Sequence, residues 1–97
     1  VENILSNIGL CKKAGFLISG FDAVLKEANA SDSKLVGVIV ANDISEKTLK
    51  ELRFKLKSNM QVTKLPISKS TIESVLKKNV AIIGITNKGF YNNLISI

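Results

Sequence analysis

The chain has no histidine and no tryptophan, one cysteine and one proline among its 97 residues. Its eight carboxylates are scattered, with no paired spacing that would suggest an acid/base couple or a metal site. These absences remove the parts that most catalytic templates need: there is no imidazole, no Cys/His ligand set and no Walker-type glycine loop. Neither an enzyme nor a metal or small-molecule cofactor is expected. Cys11 falls within a helical apolar pattern, where the residue serves as a small buried hydrophobe, and a lone cysteine leaves no disulfide within the chain. Aromatic residues make up only 5%, so the core has to be built from Ile, Leu, Val and Ala. No apolar run approaches the ~20 residues of a membrane span, and the N-terminus shows no charged-then-apolar signal pattern, so a cytoplasmic location is expected.

What is present is a globular balance with an excess of positive charge. A length of 97 residues with 45% hydrophobic content fits one domain, residues 1–97, with a single layered core. Fourteen Lys+Arg against eight Asp+Glu give a net charge of +6, which in a small domain points to nucleic acid or another acidic surface. The excess is uneven. Residues 47 to 78 carry Lys47, Lys50, Arg53, Lys55, Lys57, Lys64, Lys69, Lys77 and Lys78 against Glu51 and Glu73, while acids slightly outnumber cations elsewhere.

Along the chain, helical and extended patterns alternate. Glu2 to Ala14 has apolar residues at 4, 5, 8 and 11 and closes on Lys12, Lys13 and Gly15, an ordinary helix stop in which either lysine is also placed to hold a phosphate. A short extended piece (Phe16, Leu17, Ile18) follows, then a helix from Phe21 to about Ala30 that buries Val24, Leu25 and Ala28 and turns Asp22, Ala23 and Lys26 outward. Leu35 to Ala41 (LVGVIVA) and Val80 to Thr86 (VAIIGIT) are continuous apolar runs of strand length, expected to be covered on both faces. Between them, a helix from Ser45 to Lys57 presents Leu49, Leu52 and Leu56 to the core, with Lys50, Arg53 and Lys57 as a stripe beside them and Phe54 nearly opposite. A weaker strand from Gln61 to Leu65 stops at Pro66, which cannot sit inside a central ladder. A short helix then runs to Lys78 with Ile72, Val75 and Leu76 inward. Asp43 with Glu46, and Ser70 with Glu73, fit capping-box spacings. The terminal helix, Asn87 to Ile97, turns Phe90, Leu94 and Ile97 inward. The pattern predicts an α/β fold with helices on both faces of a four-stranded mixed or parallel sheet. In such folds ligands gather at a rim where strand ends meet helix starts, here the helix starts at Gly20 and Asp43 and the loop Lys77 to Asn79.

The stretch Gly15 to Lys26, GFLISGFDAVLK, is the first candidate site. Ser19 and Gly20 put no bulky side chain over the first amides of the following helix, and those free donors carry partial positive charge. With Asp22 and Lys26 one turn apart, the helix end offers amides, an acceptor and a cation together, which suits a polynucleotide backbone with a base edge beside it. The same residues also fit a plain strand-to-helix turn in which Asp22 complements the helix dipole.

Three separated pieces, LCKKAGFLISGFDAVLK (10 to 26), VIVANDIS (38 to 45) and AIIGITNKGF (81 to 90), together resemble the kink-turn RNA-binding ribosomal-protein superfamily of the L-seven-Ae and L-thirty-e type, and within it the small bacterial YlxQ-like members. The likeness spans essentially the full length. It implies a three-layer α/β/α sandwich around a four-stranded mixed sheet, with alternating helices and strands. It also implies binding to structured RNA, ribosomal RNA included: the second helix enters the groove beside sheared G·A pairs, and the loop before the last strand packs on an extruded base. A monomer is expected. Carried over by position, Gly20 permits close backbone approach, Lys26 reaches a phosphate or base edge, Asp43 orients the rim loop, and Lys77, Lys78 and Asn79 meet the extruded base. With their neighbours, the candidate RNA contacts are Lys13, Ser19, Gly20, Phe21, Asp22, Lys26, Asn42, Asp43, Lys77, Lys78 and Asn79. The chain departs from the family pattern at Asp22 and Ala23, where typical kink-turn binders carry an Asn-Glu pair, and its loop before the last strand is more cationic. A competing expectation from another class is a protein-interaction module that keeps the fold, has lost specific RNA binding and uses Phe54 and the cationic stripe as its contact surface.

Overall fold

The two apolar runs form the middle of the sheet, and everything else is arranged to cover them. The computed structural model describes residues 2–56 and 60–96. Its elements are α1 (Glu2–Lys13), β1 (Leu17–Ser19), α2 (Phe21–Ala28), β2 (Gly37–Val40), α3 (Glu46–Lys55), β3 (Val62–Lys64), α4 (Lys69–Leu76), β4 (Ile82–Ile85) and α5 (Lys88–Ile95). The strand order is β1-β4-β2-β3. β4 runs antiparallel to both β1 and β2, and β2 runs parallel to β3, so the sheet is mixed, as expected. All four residues of β2 and of β4 are buried, whereas the edge strands β1 and β3 are three residues each and only half-buried. A strand hidden on both faces has to be apolar throughout, which is why these two were legible as continuous runs.

Alternation along the central strands builds two cores. Ile39 and Ala41 of the β2 segment and Ile83 and Ile85 of β4 face Ile4, Ile8 and Cys11 of α1, Ile72 and Leu76 of α4, and Tyr91 and Leu94 of α5. Val38, Val40 and Ile82 face the other way, onto Val24 of α2, Leu52 of α3 and Leu56 at the C-cap of α3. Helices therefore cover both faces, giving three layers. Cys11 is fully buried, and burial pushes its thiol up to about 11, so it stays neutral and unreactive at ordinary pH.

Helix ends depart from the sequence expectation in detail. The N-cap of α3 is Ser45, which accepts from the Thr48 amide at 3.1 Å, and that of α4 is Ser68, which accepts from the Thr71 amide at 3.2 Å. Neither the Asp43/Glu46 nor the Ser70/Glu73 capping box forms. Asp43 is instead drawn across the rim, where its Oδ1 accepts from the Lys69 amide at 2.9 Å. α4 stops at Leu76 rather than Lys78, and α2 at Ala28 rather than Ala30. In α5 the inward residues are Tyr91 and Leu94, while Phe90 is only half-buried and leans on Phe16 with ring centroids 6.0 Å apart. Lys57 and Ile97 lie outside the described residues.

Candidate functional site

Four chain segments converge on one rim. β1, β2 and β3 end there and β4 begins there, because Ser19 pairs with Ile83, and Val40 with both Ile82 and Lys64. Just past the strand ends, backbone bonds join the segments: the Gly20 amide donates to the Ile82 carbonyl (2.9 Å), that of Ala41 to Ala81 (2.8 Å) and that of Asn42 to Ile67 (2.8 Å). The three places singled out in the sequence, the α2 start, the Asn42–Asp43 turn and the loop before β4, thus share one edge. Asp43 accepts from the Lys69 amide and so ties this edge to the first turn of α4.

The start of α2 is built differently from its neighbours. Ser45, Ser68 and Asn87 each cap a helix by accepting a first-turn amide, an arrangement worth about 1 kcal/mol apiece. Gly20 caps α2 with no side chain at all. Its φ of 100° and ψ of 153° lie where a side chain would be strained, so glycine is required by conformation as well as by access. A Cβ at Gly20 would come within 4.0 Å of the Val80 side chain, so the residues just before β4 form the wall beside the α2 mouth. Phe21 is half-buried in the α2/α3 core, Asp22 and Ala23 are exposed in the first turn, and Lys26 is exposed about 6 Å further along the helix.

On the other side of Val80, Lys77, Lys78 and Asn79 are all exposed. Lys77 is the C-cap of α4 and the one described non-glycine residue with positive φ (62°). Its amide bonds to the Glu73 carbonyl (2.8 Å) and its ammonium to the Ser74 carbonyl (3.1 Å). Among the described residues the only ion pair joins Lys55 to Glu51 at 3.0 Å, so no carboxylate neutralises Lys26, Lys77 or Lys78. The rim therefore combines the first-turn amides of α2, which no side chain caps, with ammonium groups that no described carboxylate pairs, beside the carboxylates of Asp22 and Asp43. It suits an anionic ligand that also presents shape.

A left-handed lysine costs about 1 kcal/mol relative to glycine, the usual residue at a helix C-terminus. Lys77→Gly is expected to raise stability by roughly that amount in denaturant unfolding while weakening the binding of anionic ligands. Unchanged stability, or stronger binding, would mean that a lysine at this turn serves neither end.

Not every candidate is drawn in. Lys13 is exposed at the end of α1, and the chain passes from it into the far end of β1, where Leu17 pairs with Ile85. Among the described residues no hydrogen bond or ion pair joins it to the rim. Its neighbour Lys12 comes closer to the loop, with its ammonium bonded to the Leu76 carbonyl at 3.2 Å. The sequence held a signal for this: Lys12 is four residues after buried Ile8, so it flanks the packed side of α1. Lys55, also outside the candidate set, places its ammonium 5.7 Å from the centre of the Phe21 ring, at the first residue of α2. No local pattern could have revealed that contact, which joins residues far apart in sequence.

No family model matches the chain. It is 30% identical over 95 residues to the RNA-binding protein YlxQ of Bacillus subtilis (strain 168), an alignment covering 93% of this chain and 89% of that protein. Among solved structures, a protein of unknown function from Bacillus halodurans C matches with a TM-score of 0.80 at 25% identity, over 96% of this chain and 93% of the other.

Proposed function

Because this chain belongs to the same family as the RNA-binding protein YlxQ, we propose that it is a small RNA-binding protein whose rim, from the α2 start to the loop before β4, docks a structured, kink-turn-like RNA. The observation that carries the reading is the α2 mouth: an N-terminus left uncapped by Gly20 while Ser45, Ser68 and Asn87 cap their helices, and walled by the segment that bears Lys77 and Lys78. The amides of the first turn and the Lys26 ammonium hold backbone phosphates, giving affinity that falls with salt. Groups at Asp22 and Ala23 stand where base edges are read, and the loop 77–79 packs on an unstacked base. The likeness to the kink-turn binders of the L-seven-Ae type supports this division of labour across residues 1–97. It also favours a cytoplasmic monomer acting on ribosomal or other structured RNA.

Two substitutions separate the roles. Lys26→Ala is expected to weaken binding to every RNA about equally and to lower the salt slope by about one unit, as a phosphate contact does. Ala23→Glu restores an acceptor at a base-reading position and is expected to shift preference toward a kink-turn over a plain hairpin of equal length. Fluorescence anisotropy with the two RNAs reads both effects, and identical losses with no change in preference would refute the assignment.

A further inference from the structure

Among the described residues, one exposed aromatic ring lies outside the rim. Phe54 lies in the last turn of α3 and is 89% exposed, so its ring adds nothing to the core that Leu52 builds from the same helix. Lys47, Lys50 and Phe54 recur at positions i, i+3 and i+7 and share the outward side of α3, with Arg53 exposed beside them. Of the two acids on the helix, Glu51 is already paired with Lys55, and Glu46 sits in the first turn, at the end away from Phe54. A bare aromatic ring among cations matches the way single-stranded nucleic acid is held, with a base stacked on the ring and flanking phosphates met by Lys and Arg.

The feature is also continuous with the rim. Lys55, next to Phe54, lies 5.7 Å from the centre of the Phe21 ring, and Phe21 is the first residue of α2. A strand leaving a structured RNA docked at the α2 mouth needs only a few nucleotides to cross Lys55 and reach Phe54. We propose that the outward face of α3 is a second RNA contact, at which Phe54 stacks an unpaired base next to the structured element, with Lys47, Lys50 and Arg53 on the phosphates. This rests on the rim reading and extends its footprint. It favours RNA over an acidic protein because the face adjoins a site already suited to RNA.

The test compares one structured RNA with the same RNA carrying a short unpaired pyrimidine tail at either end, by fluorescence anisotropy, using the chain as it stands. The tailed RNA is expected to bind about tenfold tighter, within the range that stacking on an aromatic ring gives. Phe54→Ala should remove that gain while leaving affinity for the tail-less RNA within about twofold, and Phe54→Trp should keep it. Alanine suits a helix, and circular dichroism verifies that α3 persists. Equal affinity of the unaltered chain for both RNAs would overturn the proposal. So would a gain that survives Phe54→Ala, including the case where that variant instead loses an acidic protein partner. Failure to bind either RNA would sink the rim reading and this one together, whereas equal binding to both would sink this one alone.

Discussion

Replacing Lys77 and Lys78 together by glutamate is expected to lower affinity for structured RNA by about a hundredfold and to take about two units from the slope of log affinity against log salt. Both side chains are exposed at the end of α4, and no described carboxylate offsets them. Reversal replaces two attractions to phosphate by two repulsions, which is why the effect should exceed that of a single neutral substitution. Folding should be little altered, since neither side chain is part of either core. Lys77 already sits in a strained left-handed turn, so any loss of stability is to be measured beside the binding. A matched reversal of Lys34 and Lys88, which flank the opposite ends of β2 and β4, is the control. It changes net charge by the same amount and is expected to cost much less affinity. Equal losses from the two pairs would show that only the overall charge matters and that the rim is not the binding site.

The largest expected effect on stability comes from Gly37→Ala. Gly37 opens β2, in the middle of the sheet, and the Tyr91 ring of α5 lies directly against its backbone, so an added methyl group would overlap that ring. Tyr91 cannot swing aside at low cost: it is 1% exposed, and its hydroxyl is bonded to the Thr63 side chain at 2.9 Å across the sheet. Overpacking of this kind costs roughly 3 kcal/mol, a large fraction of what holds a domain this size together. If the ring is the cause, Tyr91→Leu should remove much of the penalty when combined with Gly37→Ala, giving a coupling above about 1 kcal/mol in a double-mutant cycle monitored by denaturant unfolding. Additive losses would locate the cost elsewhere.

Contacts made within a few residues, or repeated along one element, were readable in advance; contacts made by folding were not. LVGVIVA and VAIIGIT announced the central strands because doubly covered strands leave no room for polar alternation. Pro66 marked the end of β3, and Leu49, Leu52 and Leu56 fell on the buried side of α3 and its C-cap as spaced. The capping boxes misled because Asp43 finds a better donor in the Lys69 amide, which only the closed rim brings near, and Ser45 and Ser68 then take the caps. Tyr91 was missed for a similar reason: what fixes it is a glycine 54 positions earlier and a threonine on the edge strand. Within the site, Gly20, Asp43 and the loop 77–79 could be placed on one edge from strand and helix order alone. For Lys12 the spacing from Ile8 gave the face but not the partner, the Leu76 carbonyl, and for Lys55 nothing local pointed to the Phe21 ring. Lys13 stands next to β1 in sequence, at the end of that strand away from Gly20.

RNA contact at the rim is the decisive expectation. Backbone amide shifts recorded during titration with a kink-turn RNA should move first and most at Gly20 to Ala23, at Asn42 and Asp43, and at Lys77 to Val80, with the far ends of the strands around Leu17, Gly37 and Ile85 nearly still. Shifts centred on those far ends, or none at a salt concentration low enough to favour phosphate contacts, would contradict it.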